Sequence, residues 1–263
     1  MASVELDIEH PPTADVAGTP VFVGDLESAT KWIVDRARAA AGGYVCLCNV
    51  HLFVAAHHDE EVRRALTGAA LAFPDGWPIA WLERRLGHGA ATRVAGPDLM
   101  ANAIDAGRGL GLRHFLLGST DGVLRRLEAN LGRRFPGAEL VGRQSLPFFD
   151  TDEFSRTEPA IAEVRRARPD LVWLSLGCPK QELWMLRYAQ ELAPALVVGI
   201  GAAFDFHAGT KQRAPRWVQR AGLEWLHRLL SEPRRLASRY ARTNSEFLLL
   251  AAMALLRQRR RGS

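Results

Sequence analysis

The 263 residues, 48% hydrophobic and 24% charged, suit one large domain or one domain with an appendage, with ample core. The net charge of +5 is uneven: residues 216–263 hold eleven arginines and no lysine against three acids, giving +8, which leaves −3 for the first 215 residues. A mildly acidic body with a basic tail points the tail at something anionic. The absence of any nucleic-acid reading module argues against DNA or RNA as that partner.

The opening "MASVELDIEHPPTADVAGTP" has no apolar segment. It reads as a disordered lead-in over 1–19, with no signal peptide expected. Short apolar runs then alternate with amphipathic stretches. "YVCLCNV" (44–50), "ALAF" (70–73), "RHFLLG" (113–118), "AELVG" (138–142), "DLVWLSLG" (170–177) and "ALVVGIG" (195–201) read as buried strands. Segments such as "LESATKWIVDRARAA", "GPDLMANAIDAG" and "DGVLRRLEANLGRRF" carry helical periodicity between them. Continuous apolar strands separated by helices imply a largely parallel sheet covered on both faces, an α/β Rossmann-like domain over 20–212. A basic amphipathic helical appendage follows over 213–263. Its longest apolar run, Phe247 to Leu256, has ten residues. A bilayer span needs roughly 20, so a peripheral rather than integral protein is expected. Cys46, Cys48 and Cys178 form no zinc spacing and no disulfide framework, which fits a reducing cytosol.

Ligands of such sheets bind beyond the carboxyl ends of the strands, and the polar and small residues of this chain gather there. Asn49 follows the first of these strands, Asp75 the second and Gly118 the third. "GCPKQELW" (177–184) offers Gly177 for close backbone approach, a helix start at Pro179, and Gln181 and Glu182 in the first turn. It reads equally as a phosphate-and-sugar site or as an ordinary strand-to-helix turn. Downstream, Asp205 can accept from a ribose or base and Arg213 can face a pyrophosphate, or both can brace a loop; His207 reads as structural. "GRGLGLR" (107–113) follows a helix and precedes a strand, the reverse of a dinucleotide fingerprint. Asp150-Thr151-Asp152 has the DxD pattern of metal-dependent sugar transferases but reads as a cap for the helix starting near Glu153. Asp75, between Pro74 and Gly76, is either a turn residue or a carboxylate made basic by Phe73, Trp77, Ile79 and Trp81.

Taken together, "PDG" (74–76), "GCPKQE" (177–182), "FDFHAG" (204–209), "QRAPRW" (212–217) and "GLEWLHRLLSEPRRLASRY" (222–240) occur in order with compatible gaps. This pattern resembles the WecG/TagA/CpsF glycosyltransferases, glycosyltransferase family 26, over about residues 20–245. The resemblance implies an inverting, metal-independent and cofactor-free transfer. A sugar moves from a UDP-sugar, of the N-acetylmannosamine type or glucose, onto a polyprenyl-diphosphate-linked saccharide in cell-surface polysaccharide synthesis. It implies Asp75 as general base, Asn49 near the acceptor, and Gln181 and Asp205 in the nucleotide-sugar pocket. Arg228 and Arg235 fall where the family's appendage engages the diphosphate. Arg239 stands in for a third arginine, because Ser238 occupies that position. Leu47 replaces a common threonine, which bears on donor or acceptor choice. The implied setting is the cytoplasmic face of the plasma membrane, the basic tail on anionic lipid, with a homo-oligomer as the other use of the tail. The remaining alternatives are a metal-dependent DxD transferase and a non-catalytic nucleotide-sugar binder.

Overall fold

The computed structural model describes residues 10–261, apart from the side chains of residues 235, 236, 238, 239 and 259–261. Two short strands come first, β1 (Thr13–Val16) and β2 (Thr19–Phe22), antiparallel about Ala17 and Gly18. Both turn residues have positive φ, 51° and 88°, as a hairpin turn matched to strand twist requires. Gly18 N–H also donates to Asp15 Oδ1 at 2.6 Å. This corrects the expectation of disorder through residue 19. Ala14, Val16, Val21 and Phe22 are buried, so tertiary contact holds a segment whose own apolar signal is weak. Residues 1–9 lie outside the described residues.

Helix α1 (Leu26–Arg38) opens with a reciprocal capping box between Asp25 and Ser28. The chain then lays down β3 (Tyr44–Cys48), α2 (Val50–His58), α3 (Glu60–Thr67) and β4 (Leu71–Pro74). After α4 (Trp77–Arg85) and α5 (Gly96–Arg108) come β5 (Arg113–Gly118), α6 (Asp121–Arg134) and β6 (Glu139–Gln144). A 3₁₀ turn at Phe154–Thr157 leads into α7 (Glu158–Ala167), β7 (Leu171–Ser175), α8 (Lys180–Tyr188), β8 (Leu196–Gly199) and α9 (Ala203–Ala208). Three further helices close the chain: α10 (Arg216–Arg220), α11 (Glu224–Ser231) and α12 (Pro233–Arg261). Strand β3 stops two residues short of the apolar run because Asn49 caps α2, its Oδ1 accepting from Leu52 N–H at 3.1 Å.

The six strands β3 to β8 form one parallel sheet in the order β4-β3-β8-β7-β5-β6. It is the Rossmann-like α/β arrangement that the apolar runs imply. One face is covered by α2, α3, α4, α7 and α8 through residues such as Phe53, Leu66, Ile79, Ile161 and Trp184. The other is covered by α1, α5, α6 and α9 through Ile33, Leu99, Leu127 and Phe204. Neighbouring strands β3 and β8 therefore pass the chain to helices on opposite faces. Their carboxyl ends border the crevice where such sheets bind ligands.

The appendage is seated on this core rather than trailing from it. From α12, Phe247, Leu250 and Ala251 enter the α2 face, and the Phe247 ring meets Phe53 edge-on at 5.7 Å. Replacing Phe247 by Ala is expected to cost about 3 kcal/mol in urea unfolding, as for other buried phenylalanines. A cost near zero would mean that α12 does not dock there in solution.

Helix α4 buries an acid. Glu83 is 0% exposed, and neither of its carboxylate oxygens has a hydrogen-bond partner among the described residues. Burial lifts its pKa from 4.5 to about 8, with nearby Arg84 opposing. The folded state thus holds the proton more tightly than the unfolded chain. The stability this gives is complete below pH 4.5 and lost as pH rises through about 8. Between about pH 6 and about pH 9 the urea midpoint of the wild type is expected to fall more than that of Glu83→Gln, whose amide cannot ionise.

Candidate active site

The parallel register builds the site one residue beyond the strands. Cys48 pairs with Pro74, and Asp75 N–H continues the ladder by donating to Cys48 O at 2.9 Å. Asn49 and Asp75 are consequently the next neighbours across β3 and β4, about 5 Å apart in the hydrogen-bonding direction. Gly76 follows at φ 136°, a conformation open to glycine, and swings the chain into α4 with Pro78 in its first turn. Asp75 is thereby fixed between a strand end and a helix start, its side chain 27% exposed.

Around it runs a chain of charges drawn from four segments. Arg93, in the loop before α5, brings Nη2 to 3.9 Å from Asp75 Oδ1 and to 2.6 Å from Glu224 Oε2. The other Glu224 oxygen accepts from Arg213 Nε at 3.2 Å. Arg213 grips Asp98 with both terminal nitrogens, at 2.6 and 2.7 Å. Burial works against ionisation of Asp98, but the Arg213 bonds outweigh it and hold its carboxyl below the usual range. For Asp75 the balance goes the other way. Burial raises its pKa, Arg93 lowers it, Glu224 raises it, Arg228 and Arg213 lower it, and the net direction is up. The result is a partly accessible carboxylate of enhanced basicity beside guanidinium groups. That arrangement can take a proton from a hydroxyl while cations face a phosphate.

The other expected residues divide. Gly177 has φ 85° and open space where a Cβ would stand, which leaves its backbone approachable. Gly118, at φ 102°, is needed for a different reason: a Cβ there would lie 2.3 Å from Ser175 O, so glycine serves the close approach of β5 and β7 rather than a ligand. Gln181 is buried at the end of β8, its Oε1 accepting from Gly201 N–H at 3.1 Å and its Nε2 donating to Glu182 Oε1 at 2.8 Å. Its amide braces the rim, and in this state both of its ends are engaged within the protein. Glu182 is wholly buried among Cys46, Cys48 and Cys178. Burial raises its pKa to about 7 despite the Gln181 bond. It is therefore not the surface acceptor of hydroxyls that the first-turn position suggests; the helix turns it into the core. Pro179 is the N-cap of α8 rather than its first residue.

Asp205 lies on α9 at the same rim, accepting from Thr210 Oγ1 at 3.0 Å with Lys211 Nζ at 3.9 Å. His207 is structural as read: its ring Nε2 lies 2.9 Å from Pro97 O and joins α9 to α5. Arg213 is held by Asp98 and Glu224 rather than presented free to a pyrophosphate. Arg228, on α11, is close enough for its charge to be felt at Asp75. The side chains of Arg235 and Arg239 lie outside the described residues. The DxD segment does not cap as expected. Here Glu153 bonds back to Asp150, its carboxylate accepting the Asp150 N–H at 3.2 Å, and the 3₁₀ turn starts at Phe154 with no side-chain cap. Among the described residues no cluster of His, Cys, Asp and Glu has the grouping of a metal site.

Sequence reasoning missed Arg93 and Glu224, the two residues that touch or frame Asp75 most directly. Glu224 had a signal: it is one of only three acids in the basic segment 216–263, and an acid among arginines is a natural ion-pair partner. Arg93 has none beyond its place between apolar stretches.

Residues 14–261 match the sequence profile of the Glycosyl transferase WecG/TagA/CpsF family. Among similar proteins is the N-acetylglucosaminyldiphosphoundecaprenol N-acetyl-beta-D-mannosaminyltransferase of Bacillus spizizenii, 28% identical over 195 residues, 74% of this chain and 73% of the relative. A protein of the same description from Bacillus subtilis is 27% identical over 193 residues, 73% of each chain. With the profile spanning nearly the whole fold and the rim carrying a basic carboxylate among arginines, this chain belongs to the WecG/TagA/CpsF family of glycosyl transferases.

Proposed function

We propose that this enzyme transfers a hexose, of the N-acetylmannosamine type or glucose, from its UDP-sugar to a saccharide linked to a polyprenyl diphosphate, with inversion and without a metal. The observation that carries the reading is the Asp75 carboxylate, partly accessible and raised in pKa, at the strand rim beside Asn49 and within the field of Arg93 and Arg228. The acceptor hydroxyl attacks the anomeric carbon from the side opposite UDP. Asp75 takes its proton, the anomeric C–O bond to the β-phosphate breaks, and UDP leaves with the electron pair. A basic carboxylate suits the first event. Guanidinium groups suit the last, because the leaving diphosphate gains charge. The open backbone at Gly177 and the small residues after β8 leave room for the nucleotide on the same rim.

The tail fits a lipid-linked acceptor. No described helix is long and apolar enough to cross a membrane. While Phe247 and Leu250 of α12 face the core, Leu249, Met253 and Leu256 are exposed on another side at helical spacing, with Trp225 and Leu230 exposed on α11. Apolar side chains set among arginines match the composition of an interfacial helix on anionic lipid. On this reading the enzyme works peripherally, on the inner face of the plasma membrane, and its appendage brings the site to the headgroups.

Asp75→Asn is expected to lower UDP release by about 100-fold or more while leaving UDP affinity nearly unchanged in calorimetry. Retention of most of the activity would remove Asp75 from the mechanism. Replacing Leu249, Met253 and Leu256 together by glutamate leaves the packed face of α12 intact. The variant should no longer float with anionic phosphatidylglycerol vesicles that carry the wild type. Equal flotation would contradict docking through this face.

A further inference from the structure

Glu224 does more than join the appendage to the body. Its two oxygens hold two different guanidinium groups, Arg93 at 2.6 Å and Arg213 at 3.2 Å. Arg93 stands at the branch point of this arrangement. The same Nη2 that touches Glu224 reaches Asp75 Oδ1 only at 3.9 Å, beyond hydrogen-bonding distance. Arg93 Nε is buried and has no hydrogen-bond partner among the described residues, so its guanidinium is not saturated. Two carboxylates therefore compete for one cation, and the appendage's acid has the direct bond.

We infer that Glu224 is a positioning residue: it draws Arg93 away from Asp75, so that the base keeps its lone pairs for the acceptor hydroxyl instead of closing a direct ion pair. The inference rests on the transferase reading and gives the appendage a role inside the chemistry. Without the Glu224 charge, the carboxylate left within 4 Å of Arg93 among the described residues is Asp75. Asp98, which also feels Arg93, is already held by both terminal nitrogens of Arg213. A direct Arg–carboxylate pair would make Asp75 a weaker base and block the oxygen that must accept the proton.

The other groups facing Asp75 do not replace Glu224. Arg213, from the segment before α10, and Arg228, from α11, are both cations and act with Arg93 in lowering its basicity. On β3 the neighbour is the Cys48 thiol, which burial keeps protonated. Glu224 is the acid whose charge is felt at Asp75. The same competition explains how positive charge can stay beside the base without quenching it.

The test is the pH dependence of kcat/KM, whose acid limb reports the base in the free enzyme. It would be measured by UDP release from UDP-N-acetylmannosamine and from UDP-glucose, using whichever donor the wild type turns over, with a short-chain polyprenyl-diphosphate-linked N-acetylglucosamine. In Glu224→Gln the limb is expected to move down by about one pH unit, and the plateau above it to fall severalfold. Glu224→Asp keeps the charge but shortens the reach to Arg93, and its limb should move the same way by less. A merely structural role would lower activity without moving the limb. A Glu224→Gln limb that coincides with the wild type overturns the inference. Should that variant fail to fold, as judged by thermal melting, a Glu224→Asp limb that coincides with the wild type overturns it instead. A wild type that releases no UDP overturns the transferase reading, and this inference with it.

Discussion

The ion pair between Arg93 and Glu224 joins the two parts of this molecule at the one place where both matter. Arg93 belongs to the α/β body, Glu224 to the helical appendage, and their contact lies beside Asp75. Only a little of either side chain is exposed, 17% for Arg93 and 10% for Glu224. The pair is thus shielded from the solvent that makes surface ion pairs weak. Breaking such a pair leaves an uncompensated charge in a half-buried place. The position of α11, and with it Arg228, is tied through this pair to the surroundings of Asp75.

Polar groups with poor solvation concentrate at this end of the sheet. Asp75, Glu83 and Glu182 surround the last residue of β3, and each adds to the raised pKa of the Cys48 thiol. Burial raises the pKa of all three acids. A core built for stability alone would carry apolar residues there, since buried polar groups without full partners cost free energy. Asp75 differs from the other two in being partly accessible and in facing three arginines, which sets the proposed base apart from its buried neighbours.

The last helix carries two apolar stripes. One stripe of α12 carries Phe247, Leu250 and Ala251 into the core, and the exposed stripe carries Leu249, Met253 and Leu256. A helix apolar on more than one side has a low contrast in its hydrophobic pattern, so periodicity alone reads it as one amphipathic segment. The distinction between core-facing and outward-facing leucines exists only once α2 is in place to receive Phe247.

The sequence by itself determined the strand and helix alternation, because continuous apolar runs between amphipathic stretches have few ways to bury both patterns. It also placed Asn49, Asp75 and Gly118 at or just beyond the strand ends, and the run of motifs marked the family. What it could not convey was direction and partnership. Gln181 and Glu182 sit on the first turn that the sequence indicates, yet the helix turns them inward, where their hydrogen bonds and burial are set by β3 and β8. Gly118 is a strand-end glycine as read, but its necessity comes from Ser175 on a neighbouring strand 57 residues later. The hairpin at Thr13–Phe22 acquires its order from the core it covers. Arg93 and Glu224 are 131 residues apart in the chain, and no local pattern can announce a pair that exists only because the fold brings the loop before α5 against the start of α11. Ion pairs and buried acids are properties of the space between elements, so tertiary structure alone decided them.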